Sequence, residues 1–173
     1  MIHLITYGDD NFKNSKKRLE KEALNTGWFD SVTVYGPEIL DDDFKEKFKH
    51  ILNQPRIAGY GIWRPYIIKK KLNEINDDDI LIYLDAGCSI NPKGKNRFYE
   101  YVDMLNKSNE DIISFKMSHL PEKYYTTKEI FNYFNVDINS GIANSGQILD
   151  GILIMKKNKN LIKKNQMWYD VIY

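Results

Sequence analysis

The segment "DDDILIYLDAGCSIN", residues 77–91, constrains the fold more than any other part of the chain. Ile80 to Leu84 are apolar or aromatic without interruption, and they run straight into a lone carboxylate, Asp85. A strand hydrophobic throughout is covered on both faces, as in a sheet sandwiched between helices. Its neighbours in sequence fit that architecture. Residues 2–6 form a short apolar strand closed by the turn "YGDD", and "SVTVY" (31–35) is a β-branched strand ended by "GP". Between them, "NSKKRLEKEALNTG" has helical composition, with Leu19, Ala23 and Leu24 on one face and Gly27 as a stop.

The alternation continues. "LDDDFKEKFKHIL" places Phe44, Phe48, Ile51 and Leu52 at helical spacing, and Pro65 opens a helix that runs to about Ile75. "NRFYEYVDMLNKS" predicts a helix, "DIISF" a strand, and "TTKEIFNYFN" a helix whose start carries a capping pattern from Thr126 to Glu129. "QILDGILIMKK" predicts a strand with a glycine inside it, and residues 158–173 a final helix. Strands alternating with helices imply an α/β fold with a mainly parallel sheet, as a single domain over 1–173.

Composition narrows the functional classes. A formal charge of +1 on 173 residues gives no electrostatic support to a nucleic-acid partner. The single cysteine, Cys88, cannot form an internal disulfide and suits a reducing compartment, so a cytoplasmic location is expected. No apolar run approaches the ~18 residues of a transmembrane segment, and the first residues lack a signal-peptide pattern. "IKKKL" and "IMKKNKNLIKK" read as solvated faces of amphipathic elements, leaving at most weak peripheral contact with an anionic membrane. His3, His50 and His119 show no metal-ligand spacing.

Lengths bring two distant segments together. The helix from Pro65 spans roughly 16 Å and the strand Asp79–Leu84 roughly 20 Å. With only "NDD" between them they run antiparallel, so "GYGIWRP" and "DAG" become neighbours. That edge, beyond the carboxyl ends of the strands, is where open α/β sheets bind ligands. Thr6, Tyr7 and Gly8 end the first strand at the same edge. A helix N-terminus suits phosphate, Arg64 adds a donor fork, and Asp85 offers an oxygen ligand to Mn²⁺ or Mg²⁺. Gly87 leaves room for close backbone approach. Together these features point to a metal-bound nucleoside diphosphate.

"GYGIWRPYIIKKKLNEINDDDILIYLDAGCSIN", "ITYGDDNFKNSKKRLEKEA" and "SGQILDGILIMKKNKNLIKKNQMWYD" resemble nucleotide-sugar glycosyltransferases of the GT-A fold. Members are similar to enzymes of bacterial surface-polysaccharide synthesis and to capsid-glycosylating enzymes of large DNA viruses. The resemblance is most specific at 59–91 and 145–168, and implies a GT-A-like three-layer α/β/α domain. It also implies a hexosyl- or deoxyhexosyltransferase that moves a sugar from a UDP- or GDP-sugar, with Mn²⁺ or Mg²⁺, to a glycan or glycoprotein hydroxyl. Carried over by position, Thr6 and Tyr7 touch the nucleoside, and Gly61, Trp63 and Arg64 belong to the donor site, with Arg64 on the diphosphate. Asp85 stands first in the Asp-x-Asp metal motif, followed by Ala86 and Gly87, so the second metal carboxylate is missing here. Asp150 and Gly151 lie near the transferred sugar or the acceptor, with Asp150 the candidate base. Members of the family continue past the tryptophan, which implies a domain shortened at its C-terminus.

Two alternatives share the strand-end carboxylate. In a haloacid-dehalogenase-like phosphotransferase Asp85 is the nucleophile and Ser89 stands four residues on. In a catalytically inactive module the nucleotide-sugar binds without transfer.

Overall fold

The computed structural model describes residues 1–172, and the last position of the predicted C-terminal helix, Tyr173, lies outside them. Among the described residues five strands form one sheet: β1 (Ile2–Tyr7), β2 (Ser31–Tyr35), β3 (Ile80–Leu84), β4 (Ile112–Pro121) and β5 (Gly146–Lys156). Their order is β2-β1-β3-β5-β4. β1 lies parallel to both β2 and β3, while β5 runs antiparallel to β3 and β4. The sheet is therefore mixed but mostly parallel, with four strands sharing one direction. The exception positions the site, because β5 begins at the edge where β3 ends.

Helices cover both faces, giving the three layers expected. The odd positions of β1 and β3, Ile5, Tyr7, Leu81 and Tyr83, pack with Leu153 and Met155 of β5 against Ile67, Ile68 and Leu72 of α5 (Trp63–Glu74). Phe44 of α2 (Asp42–Lys47) and Leu161 of α8 (Lys159–Ile172) close that layer. On the opposite face Ile80, Ile82 and Ile154 meet Val102 and Leu105 of α6 (Lys95–Lys107). Full enclosure of such a side chain contributes roughly 1.5–3 kcal/mol relative to exposure, so the doubly covered β3 anchors the fold. α1 (Lys13–Thr26) packs on β1 and β2 and stops at Gly27, whose φ of 64° lets its N–H return to Leu24 O.

Local departures from the sequence pattern have physical causes. The helix expected over 40–52 breaks at Phe48 (φ −103°, ψ 15°) into α2 and α3 (Lys49–Leu52). Asp41 caps α2, accepting from Phe44 N at 2.7 Å. The short α4 (Ile57–Tyr60) is left-handed, and positive φ persists from Ile57 through Gly61. Gly59 is obligatory there, since a Cβ would lie 2.7 Å from Leu52 Cα. The capping box predicted at Thr126 does not form: Thr126 Oγ1 donates to the Glu122 carboxylate, and α7 (Lys128–Tyr133) starts after Thr127. Among the described residues no helix is long and apolar enough to cross a membrane.

Candidate functional site

The start of α5 and the end of β3 do converge. Arg64 Nη2 donates to Asp85 Oδ1 at 3.2 Å, and Arg64 Nη1 donates to Asp150 Oδ2 at 2.6 Å. The antiparallel register places Leu84 opposite Ile152, which carries Asp150 and Gly151 alongside Asp85, and Asp85 N donates to Gly151 O at 2.9 Å. Tyr83, enclosed in the core, donates its hydroxyl to Asp85 Oδ1. The guanidinium is only 5% exposed and lies over the rings of Trp63 and Tyr83, at 5.4 and 5.2 Å from their centroids.

Burial alone disfavours the Arg64 charge, but the Tyr83 hydroxyl and the Asp150 and Asp85 carboxylates outweigh it and hold the group firmly protonated. Burial pushes the Tyr83 hydroxyl well above the usual phenol range, so it serves as a donor. Two carboxylates against one guanidinium leave the cluster with a net negative charge.

Two glycines explain themselves. A Cβ at Gly151 would stand 2.8 Å from Asp85 Oδ2, so the glycine inside β5 makes room for that carboxylate. Gly61 (φ 75°) closes the left-handed turn beside Arg64, and a Cβ there would touch Nη1 at 3.4 Å. Its place is in the backbone turn; it lines neither cavity described below.

An apolar slot of about 170 Å³ opens next to Asp85, walled by Tyr7, Phe12, Ile57 and Trp63 and floored by Ala86 and Gly87. Tyr7 stacks on Trp63, centroids 3.9 Å apart, which fixes one wall. A second cavity of about 380 Å³ shares Tyr7 and Ala58 with the slot and adds Asp9, Lys45, Lys49, Asn53 and Gln54. Tyr7, Trp63, Asp85, Ala86 and Gly87 therefore meet at one opening, with Arg64, Asp150 and Gly151 directly behind Asp85.

Thr6 does not join them. Strand alternation turns it to the face opposite Tyr7, where it is 0% exposed and its Oγ1 finds no hydrogen-bond partner among the described residues. The amide-rich helix tip is also corrected: Ile62 N and Arg64 N donate to Gly59 O and Gly61 O, and Pro65 has no N–H. Phosphate finds few free amides there. Ser89, required by the phosphotransferase alternative, faces α1 and receives a hydrogen bond from Arg18.

Asp85 Oδ1 is engaged twice, whereas Oδ2 has no hydrogen-bond partner among the described residues, and the side chain is 42% exposed. No group of three or more His, Cys, Asp or Glu side chains able to hold a metal occurs among the described residues. The residues thus fit a cation that takes one protein oxygen and completes its shell from a phosphorylated ligand and water, a common arrangement for Mg²⁺.

Sequence reasoning missed the Arg64–Asp150 pair, the Tyr83 donor and the Phe12 and Ile57 walls. The Asp–Gly step inside an otherwise apolar strand was the available signal for the first. Tyr83 was hidden in a run of core residues.

No protein-family model and no curated protein matches the sequence. Among solved structures, the chain is similar to a glycosyltransferase involved in the glycosylation of the major capsid of PBCV-1. Identity is 14% over 98% of this chain and 66% of that one, with a TM-score of 0.53. It is also similar to the galactosyltransferase LgtC in complex with donor and acceptor sugar analogs, at 11% identity, 97% and 64% coverage and a TM-score of 0.43. The chain thus spans about two thirds of the length of these structures. The first of these likenesses shows a shared fold, the GT-A-type α/β architecture that the sequence resemblance implied.

Proposed function

We propose that the chain is a glycosyltransferase that moves a sugar from a nucleotide-diphosphate donor, a UDP- or GDP-sugar, to an acceptor hydroxyl of a glycan or glycoprotein. The observation that carries this reading is the juxtaposition of an apolar, aromatic-walled slot with the half-exposed carboxylate of Asp85. The slot suits the flat face of a nucleoside base and its ribose. The shared fold raises the expectation of glycosyl transfer.

Charge supports a metal. Arg64 is already matched by two carboxylates, so a diphosphate approaching Asp85 meets net negative charge. Mn²⁺ or Mg²⁺ held on Asp85 Oδ2 would supply Lewis-acid neutralisation of the departing diphosphate. Arg64 fixes the orientation of both carboxylates through its planar fork. Asp150 is 65% exposed at its side chain, and its second oxygen lacks a hydrogen-bond partner among the described residues, so it can accept a proton from an acceptor hydroxyl.

The test is thermal unfolding of the full chain with UDP, GDP and their sugars, with and without Mn²⁺. Ligand at a hundred times its dissociation constant should stabilise by about 2.7 kcal/mol. Asp85→Asn should abolish the Mn²⁺-dependent part. No response to any nucleotide would overturn the reading, while binding without hydrolysis or transfer would mark an inactive nucleotide-sugar module.

A further inference from the structure

The loop that follows Asp85 is held from outside the site by one face of α1. Arg18 and Glu22, one helical turn apart, form an ion pair at 3.0 Å. On an ordinary helix surface such a pair contributes little. Here both partners also reach across to residues about seventy positions away. Arg18 Nη1 donates to Ser89 Oγ, and Nη2 donates to the carbonyl oxygens of Ala86 and Gly87, each at 3.3 Å. Glu22 Oε2 accepts from Ile90 N at 2.9 Å. That amide, and then Arg18, hold the Glu22 carboxyl below its usual range.

The loop needs this support. Gly87 has no side chain to pack, and the space a Cβ would occupy there is open to 4 Å. Inside the loop, Cys88 N donates to Asp85 O at 2.8 Å, so the turn is rigidly linked to the carboxylate residue. Fixing the Ala86 and Gly87 carbonyls fixes the planes of the 86–87 and 87–88 peptides, the second and third peptides after the Asp85 Cα.

We propose that Arg18 and Glu22 are positioning residues for the Asp85–Ile90 loop, acting on ligand binding through the placement of Asp85. This rests on the reading of Asp85 as the cation-bearing residue of a nucleotide site. Neither residue lines the slot; Arg18 is tied to its floor at Ala86 and Gly87, so their loss should leave the Tyr7, Phe12, Ile57 and Trp63 walls intact.

The experiment measures UDP and GDP affinity by calorimetry, with and without Mn²⁺, for the full chain and for Arg18→Met, Arg18→Lys, Glu22→Gln and Asp85→Asn. Residues that orient metal ligands from behind are typically worth 10–100-fold, so Arg18→Met should lose about tenfold of the Mn²⁺-dependent affinity. Its metal-free affinity should stay within about twofold, a split that a general loss of folding cannot produce. Arg18→Lys should recover part of the loss, since an ammonium can reach one carbonyl but cannot span the fork. Backbone amide exchange across residues 85–90 should accelerate in Arg18→Met with the thermal midpoint unchanged. If Arg18→Met does not fold, Glu22→Gln decides, with a smaller loss in the same direction. Wild-type affinity in the Arg18 and Glu22 variants, with the Mn²⁺ gain abolished in Asp85→Asn, overturns the clamp and spares the site. An Mn²⁺ gain that survives Asp85→Asn, or no nucleotide binding by the unmodified chain, overturns both.

Discussion

Replacing Gly151 by alanine isolates the geometry of Asp85 from everything else in the site. Gly→Ala inside a strand ordinarily stabilises by about 0.4–1 kcal/mol through the unfolded chain. Here the new Cβ would stand 2.8 Å from Asp85 Oδ2 and 3.3 Å from its Cγ, about 0.6 Å short of ordinary contact at the oxygen. A free side chain would rotate away at little cost. Asp85 is not free, because Arg64 and Tyr83 both hold Oδ1. Relief therefore breaks one of those bonds or pushes β5 outward, and overpacking of this kind costs about 1–3 kcal/mol. For a chain of this size each kcal/mol lowers the melting midpoint by roughly 2–4 °C.

The control is Gly141→Ala, where a Cβ would meet nothing within 4 Å and no clash opposes the entropic gain. Circular dichroism melts of both variants should give a drop for Gly151→Ala and no drop for Gly141→Ala. Calorimetry should show that Gly151→Ala also loses Mn²⁺-dependent nucleotide affinity. A Gly151→Ala protein as stable as the parent would refute the claim that this carboxylate is pinned.

Two further outcomes follow from the same charges. Asp150→Asn takes a charge from Arg64 and brings the cluster to neutrality, so metal-free UDP affinity should tighten by about three- to tenfold while transfer falls, read by calorimetry and donor turnover. At the far edge of the sheet, burial opposes ionisation of Asp79, but the Met1 amino group, Asn76 N and His3 outweigh it and hold its carboxyl at about 2. Its folded value lies below the unfolded one, so it contributes about 2 kcal/mol above pH 4, which is lost as pH falls from about 4 toward 2. Denaturation midpoints at pH 6 and pH 3 should differ less in Asp79→Asn than in the parent.

The meeting of Arg64 and Asp85 was legible because it follows from two lengths. A helix of three turns and a strand of five residues, joined by a short acidic turn, must bring their far ends together. The direction of β5 was not legible. Period and hydrophobicity give a strand but not its sense, and the 24 residues between β4 and β5 admit either. The resemblance placed Asp150 near the transferred sugar or the acceptor, and its tie to Arg64 follows only from the antiparallel register. The left-handed turn was hidden for another reason. Ile57, Ala58 and Tyr60 adopt φ near 50°, each at a cost of roughly 1–2 kcal/mol, which no local preference predicts. Hydrogen bonds from Gly59 N to Gln54 O and from Tyr60 N to Arg56 O hold it, and the turn gives the slot its Ile57 wall.

What the sequence presented as a phosphate-gripping arginine is a structural cation in the folded chain. Both terminal nitrogens of Arg64 are committed to carboxylates, and the ring faces of Trp63 and Tyr83 keep water from it. Its effect is to hold Asp85 Oδ1 in place. Gly151 clears the space around Oδ2, and Arg18 and Glu22 set the loop from the other side. Three segments far apart in sequence thus converge on the orientation of one carboxylate. A lone carboxylate can bind a cation usefully only if it loses little freedom on doing so, and this arrangement removes that freedom in advance. Under the proposed reading, preorganisation of Asp85 would offset the absence of a second carboxylate at position 87, where this chain has glycine.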